Sequence, residues 1–173
     1  MSRRNIFRCE YDSFRKGIGT TTYAGVHEKG TFSVSDLLSN TKKNQNYENA
    51  GAITLFIGVV RGENLEGKKV QKLKLEAYEE KANEVLTKIC DDLAKNLGII
   101  DVQIHHLLGE FNVGEEIVYV LVAGSHRTDV FPVLKEAVER YKSEVPVFKK
   151  EQVVDAKGSS TEYWVSEKEQ QQK

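Results

Sequence analysis

Six cationic side chains sit where secondary-structure elements end, which is where chains usually place their chemistry. Arg61 closes the apolar run 52–60, and His126 and Arg127 close a second such run, 116–123, and open a helix. Lys142 lies near the end of that helix, and Lys149 and Lys150 follow Pro146. Arginine presents a planar fork that suits a phosphate. A helix opening at Thr128 adds backbone donors and a dipole favourable to anions. A lysine beside other cations in a partly closed pocket has a lowered pKa and can serve as a general acid or base. Taken singly, each feature has an ordinary structural explanation: a solvated arginine, a strand-to-helix junction, a basic loop. Together they describe an anion site with one or two lysines available for chemistry. Convergence of Arg61 with His126 and Arg127 requires that both apolar strands end at the same edge of the sheet.

The elements that must position these residues follow from periodicity. Ala52 to Val60 is short, β-branched and nearly all apolar, so it reads as a buried central strand. Lys72 to Tyr78 alternates and reads as a strand paired with it. Ala82, Val85, Leu86, Ile89, Leu93 and Leu97 recur at helical spacing, with Gly98 as the residue that ends the helix. Asp101 to Leu108 is a strand, Asn112-Val113-Gly114 a turn, and Glu116 to Ala123 a second apolar strand. Thr128 or Asp129 caps the next helix, Pro132 falls in its first turn, and Phe131, Leu134, Ala137, Val138 and Tyr141 form its apolar face. Pro146 stops it. Val147 and Phe148 lead into a last strand, with Thr161 to Val165 beside it. Upstream, Phe32 to Leu38 reads as a short helix entered through Ser33 or Ser35. The order β-β-α-β-β-α-β is an α+β pattern, with helices layered on a mainly antiparallel sheet.

Composition bounds the function. The chain has 173 residues and a net charge of −1, which argues against a surface that grips nucleic acid throughout. The charge is uneven: residues 1–50 hold eight basic and five acidic residues, so the rest carries −4. The cationic residues above therefore lie in an acidic remainder. Residues 1–30 read as an extension, weakly ordered, partner-contacting or forming short strands on the domain. The domain spans 31–165, and 166–173 is a polar tail. No apolar run reaches membrane-spanning length and Met1 to Ala50 holds no signal-peptide core, so a cytoplasmic protein is expected.

Cys9 and Cys90 are far apart, with no metal-ligand spacing around them, and read as two reduced thiols. His105 and His106 are neighbours on a strand, so they face opposite sides and cannot readily share a metal. No metal and no cofactor are expected. Glu79 and Glu80 open a helix and suit its dipole.

The sequence resembles the large, catalytic subunit of molybdopterin synthase. The resemblance is carried by Gly51-Ala52-Ile53, Gly58 to Arg61, Leu75 to Tyr78, His106 to Glu110 and Val113 to Val118. Its most specific parts are Ser125-His126-Arg127 and the stretch from Tyr141-Lys142 through Pro146 to Glu151. It covers roughly residues 32–165, and the first 30 residues have no clear counterpart. It implies an α/β-hammerhead-like core with an additional antiparallel β-subdomain. It implies a sulfurtransferase that converts cyclic pyranopterin monophosphate (precursor Z) into molybdopterin by installing a dithiolene. The sulfur would arrive as a thiocarboxylate on the C-terminal Gly-Gly of a small ubiquitin-like subunit. The large subunit would form a homodimer at the centre of a heterotetramer, with sites that borrow residues across the interface.

Carried onto this chain, the resemblance makes Lys142 and Lys149 catalytic. It gives Arg61, His126, Arg127 and Lys150 to the substrate's anionic group. Lys150 stands where some relatives carry arginine, so the charge is kept and the fork is lost. Such an enzyme needs preorganised cationic donors for its anionic substrate and tetrahedral intermediate, and no cysteine nucleophile. Phe148, with Val147, is a candidate to line the channel for the partner's tail. A competing expectation is a non-enzymatic module that binds RNA or nucleotide phosphates through the basic cluster. An RNP-type motif and a GXXG loop are both missing from the sequence.

Overall fold

The computed structural model describes residues 24–155 and 158–165. Residues 1–23 of the expected extension and the tail 166–173 lie outside the described residues. The chain runs β1 (Ala24–Glu28), α1 (Val34–Thr41), a 3-10 turn (Tyr47–Asn49), β2 (Ala52–Val59), β3 (Lys69–Ala77) and α2 (Glu79–Leu93). It continues with β4 (Ile99–Asn112), β5 (Glu116–Gly124), α3 (Arg127–Glu144), β6 (Val147–Val154) and β7 (Ser160–Val165). Seven strands make one sheet in the order β2-β5-β4-β3-β6-β7, with β1 added beside β4. All pairs are antiparallel except β1 with β4. The α+β reading with a mainly antiparallel sheet agrees with this. β1 lies on the extension's side of the boundary expected at residue 30, and it is a short strand packed on the domain.

β4 is long enough to serve two parts of the sheet. Its first half pairs with β5, and its last four residues pair with β3. Gly109 sits at the changeover with φ +120, a backbone setting that side-chain-bearing residues rarely adopt. One core lies under α2 and α3: Ala82, Leu86, Ile89, Val130, Val133 and Ala137 close on Val102, Ile104, Val118, Val120 and Val122. The second lies on the opposite face, where Leu37 of α1 meets Leu73, Leu75, Phe111, Leu121 and Ala123. β5 contributes alternate residues to both cores, which is why 116–123 reads as continuously apolar. Ser33 caps α1 in a capping box: its hydroxyl accepts from Asp36 N at 3.3 Å, and the Asp36 carboxylate accepts from Ser33 N at 2.9 Å.

Several expectations are corrected. β2 is an edge strand, not a central one, and Ile53, Ile57 and Val59 are exposed. β3 pairs with β4 and β6, not with β2. Alternation places a strand on a surface but does not choose its neighbour. Helix α2 ends at Leu93, so Leu97 is three-quarters exposed rather than part of the buried stripe. Gly98 does have a positive φ, but it serves the entry to β4 instead of ending the helix. His126, without a side-chain capping bond, is the cap of α3, in place of Thr128 or Asp129. Pro132 therefore falls in the second turn of that helix, and Phe131 is exposed rather than on the apolar face.

Candidate functional site

Arg61 follows β2 and is exposed. Its backbone is tethered through Val60, whose N–H donates to Glu115 O at 3.0 Å and whose carbonyl accepts from Gly114 N at 2.8 Å. The apolar Val60 side chain is buried beneath it, so the charge is left at the rim of the second core.

The two lysines come to the same end of the sheet. α3 starts at the end of β5 and runs back along the sheet, packing on both β5 and β2. Its last turn carries Tyr141, buried with its ring edge-on to His106 at 6.2 Å. Lys142 follows on the exposed side, with Nζ 6.0 Å from the centre of the Phe56 ring. Val145 and Pro146 turn the chain into β6. There Lys149 stands opposite Leu75 and close enough to His106 to help hold that imidazole neutral. Burial is the larger cause, and together they push the His106 pKa down to about 4. Lys142 and Lys149 thus flank the buried His106–Tyr141 contact from two elements joined by one short turn.

His126 and Arg127 are elsewhere. β2 and β5 are antiparallel, with Ala52 opposite Gly124 and Val59 opposite Glu116. Their C-terminal ends therefore lie at opposite ends of the pair, roughly 25 Å apart at about 3.3 Å per residue. The expected convergence of Arg61 with His126 and Arg127 does not occur within one chain.

Lys150 is separated from Lys149 in another way. Adjacent strand residues face opposite sides. Lys150 shares its face with Phe148, Gln152, Lys72 and Lys74, and its ammonium pairs with Glu162 at 2.5 Å, near the Trp164 ring. Phe148 is 54% exposed, so it is not a core residue. Trp164 and the Phe56 support under Lys142 escaped the sequence reading.

The histidine pair reads as expected. His106 is buried on one face, with its Nδ1 3.0 Å from Leu107 O. His105 faces the other side, stacked on Phe32 and 2.9 Å from His27 Nε2. Among the described residues no cluster of His, Cys, Asp and Glu could hold a metal. Cys90 is fully buried, and burial pushes its thiol well above the ordinary range, so it is no nucleophile. Glu79 and Glu80 lie in the first turn of α2, as their helix-dipole reading requires. No helix among the described residues is long and apolar enough to cross a membrane.

Fold and site together define a mixed helix and antiparallel-sheet protein with cationic residues, in two separated groups, at the ends of its strands. The family model described as MoaE protein matches residues 26–144, and the chain belongs to that family. Molybdopterin synthase catalytic subunit 1 of Aedes aegypti is 40% identical over 124 residues, 71% of this chain and 78% of that protein. The molybdopterin synthase catalytic subunit of Pyrococcus abyssi is 39% identical over 115 residues, 66% of this chain and 74% of its own length. Among solved structures, molybdopterin synthase from Staphylococcus aureus matches with a TM-score of 0.68 at 29% identity, over 82% of this chain and 96% of that one.

Proposed function

We propose that this chain is the catalytic subunit of a molybdopterin synthase, a sulfurtransferase of molybdenum-cofactor biosynthesis. It receives sulfur from the C-terminal thiocarboxylate of a small ubiquitin-like subunit and passes it to precursor Z. The observation that carries this reading is the joining of Lys142 and Lys149 across the α3–β6 turn, in a chain of this family. Lys142 moves the proton at the pterin side chain. Lys149 orients the thiocarboxylate and stabilises the developing oxyanion. The inert, buried Cys90 is consistent with sulfur that comes from the partner. Exposed Phe148 is a contact for that partner. We read the mixed helix and antiparallel-sheet fold as a hammerhead-like core with a β-subdomain, in a protein that works in the cytoplasm.

Two features support a dimer with shared sites. The edge strand β2 leaves Ile53, Ile57 and Val59 uncovered, which natural edges normally avoid unless another chain covers them. A two-fold partner set antiparallel along β2 would bring its His126–Arg127 end to this chain's Arg61–Lys142 end. Each site would then take its lysines from one copy and its second phosphate clamp from the other. The separated cationic groups favour this arrangement over an RNA-binding module.

The test is conversion of precursor Z to molybdopterin by the purified chain with a thiocarboxylated small subunit. No product from the wild-type pair would reject the enzyme assignment. Mixing Lys142→Ala and Arg127→Ala chains, each nearly inactive at precursor Z well below the raised KM, should then restore about a quarter of wild-type activity through mixed dimers. Failure of the mixture to recover any activity would reject the shared site.

A further inference from the structure

Three glycines from three separate segments close on the backbone that carries His126 and Arg127. Gly51 precedes β2, Gly98 precedes β4, and Gly124 ends β5. Gly51 N donates to Gly124 O at 3.0 Å, and Ser125 N donates to Gly98 O at 2.8 Å. None of the three leaves space for a side chain. A Cβ on Gly51 would lie 2.2 Å from the Ser125 carbonyl oxygen. One on Gly124 would lie 2.6 Å from the Gly98 carbonyl oxygen and 2.8 Å from Val130 Cγ1. Gly98 has φ +81, and its Cβ would meet Asp129 Oδ2 at 2.7 Å. Backbone packed directly on backbone thus clamps residues 124 and 125 from both sides.

His126 and Arg127 depend on that clamp. Both are exposed, and neither side chain has a hydrogen bond or ion pair to another described residue. His126 caps α3 through its backbone alone. Side chains held by nothing else take their position from the main chain. Recognition of a phosphate by such groups tolerates little displacement.

We infer that Gly51, Gly98 and Gly124 are positioning residues that fix His126 and Arg127 for the anionic group of the substrate. Gly98 is the one to test, because its Cβ would meet the Asp129 carboxylate in the first turn of α3, whereas side chains at Gly51 and Gly124 would strike backbone and disturb the fold itself. The inference rests on the function proposed above.

The experiment compares Gly98→Ala with Gly30→Ala in the full chain with its small subunit. Gly30 has φ +83 with nothing within 4 Å, so its variant carries the backbone strain without the collision. Gly98→Ala should raise KM for precursor Z on the order of tenfold, with kcat within about twofold. Gly30→Ala should leave KM as in the wild type. In the Asp129→Ala background, Gly98→Ala should have little further effect on KM. A second readout needs no turnover. The NMR ring signal of His126, identified by its loss in His126→Gln, should move with added inorganic phosphate in the wild type and respond far less in Gly98→Ala. Wild-type KM and phosphate response in a folded Gly98→Ala would overturn the inference. If the wild type makes no molybdopterin but the phosphate response and its loss remain, the enzyme reading falls and the positioning role stands. Should Gly98→Ala not fold, hydrogen exchange in the wild type decides: the Ser125 amide should exchange as slowly as the core amides of β5, and rapid exchange overturns the clamp.

Discussion

The two ends of the β2–β5 pair are built by different means. At one end Lys142 and Lys149 rise from a helix end and a strand start, over a buried His106–Tyr141 contact. At the other, His126 and Arg127 follow backbone closely approached by Gly51 and Gly98. The first end holds two lysines beside a buried His–Tyr contact. The second holds an exposed histidine and arginine at the entry to α3. Because β2 and β5 are antiparallel, Arg61 and the His126–Arg127 pair lie at opposite ends of the two strands.

The largest expected effect separates the two ends kinetically. Lys142→Ala should lower kcat by roughly 10²–10⁴-fold while small-subunit binding persists, in line with loss of a general acid or base. Arg127→Ala should act mainly on KM. Near-normal turnover of Lys142→Ala in the purified sulfur-transfer assay would remove Lys142 from the chemistry. Equal effects of both variants on kcat would erase the distinction between the ends.

A smaller effect concerns the support under the lysines. His106 has its folded pKa depressed from 6.5 to about 4 by burial first and Lys149 second. Its stabilising contribution is therefore complete above pH 6.5 and is lost as pH falls toward 4, because the unfolded chain binds the proton first. Between pH 7 and pH 5 this amounts to about 2 kcal/mol. Urea unfolding at the two pH values should show that loss in the wild type and not in His106→Gln. An equal loss in both would assign the acid sensitivity to other groups.

The smallest effect tests the two faces of β6. Lys150 is paired with Glu162 on a half-exposed face, and such pairs are worth about 0–1 kcal/mol. Lys150→Ala should therefore change stability by no more than that. It should reduce turnover far less than Lys149→Ala. A loss matching that of Lys149→Ala would bring Lys150 back to the substrate.

Much of the fold was legible because local chemistry wrote it. Ser33 and Asp36 mark the start of α1, the stripe of Ala82, Leu86, Ile89 and Leu93 marks α2, and Asn112-Val113-Gly114 marks a turn. Each is set by neighbours within a few residues. Strand partners are not local. The apolar run of β2 looked central because an edge strand with exposed apolar residues leaves the same sequence pattern as a strand buried on both faces.

The sequence by itself determined which residues carry charge at element ends, and that the cysteines lacked the spacing of a disulfide or metal framework. Only the tertiary structure decided which of those residues meet. Lys142 and Lys149 lie on consecutive elements joined by one short turn. Lys149 and Lys150 part because a strand turns successive side chains to opposite faces. Arg61 and His126 part because their strands run antiparallel. The glycine clamp was beyond any local reading. It joins positions 51, 98 and 124, and what makes them glycine is the approach of distant backbone.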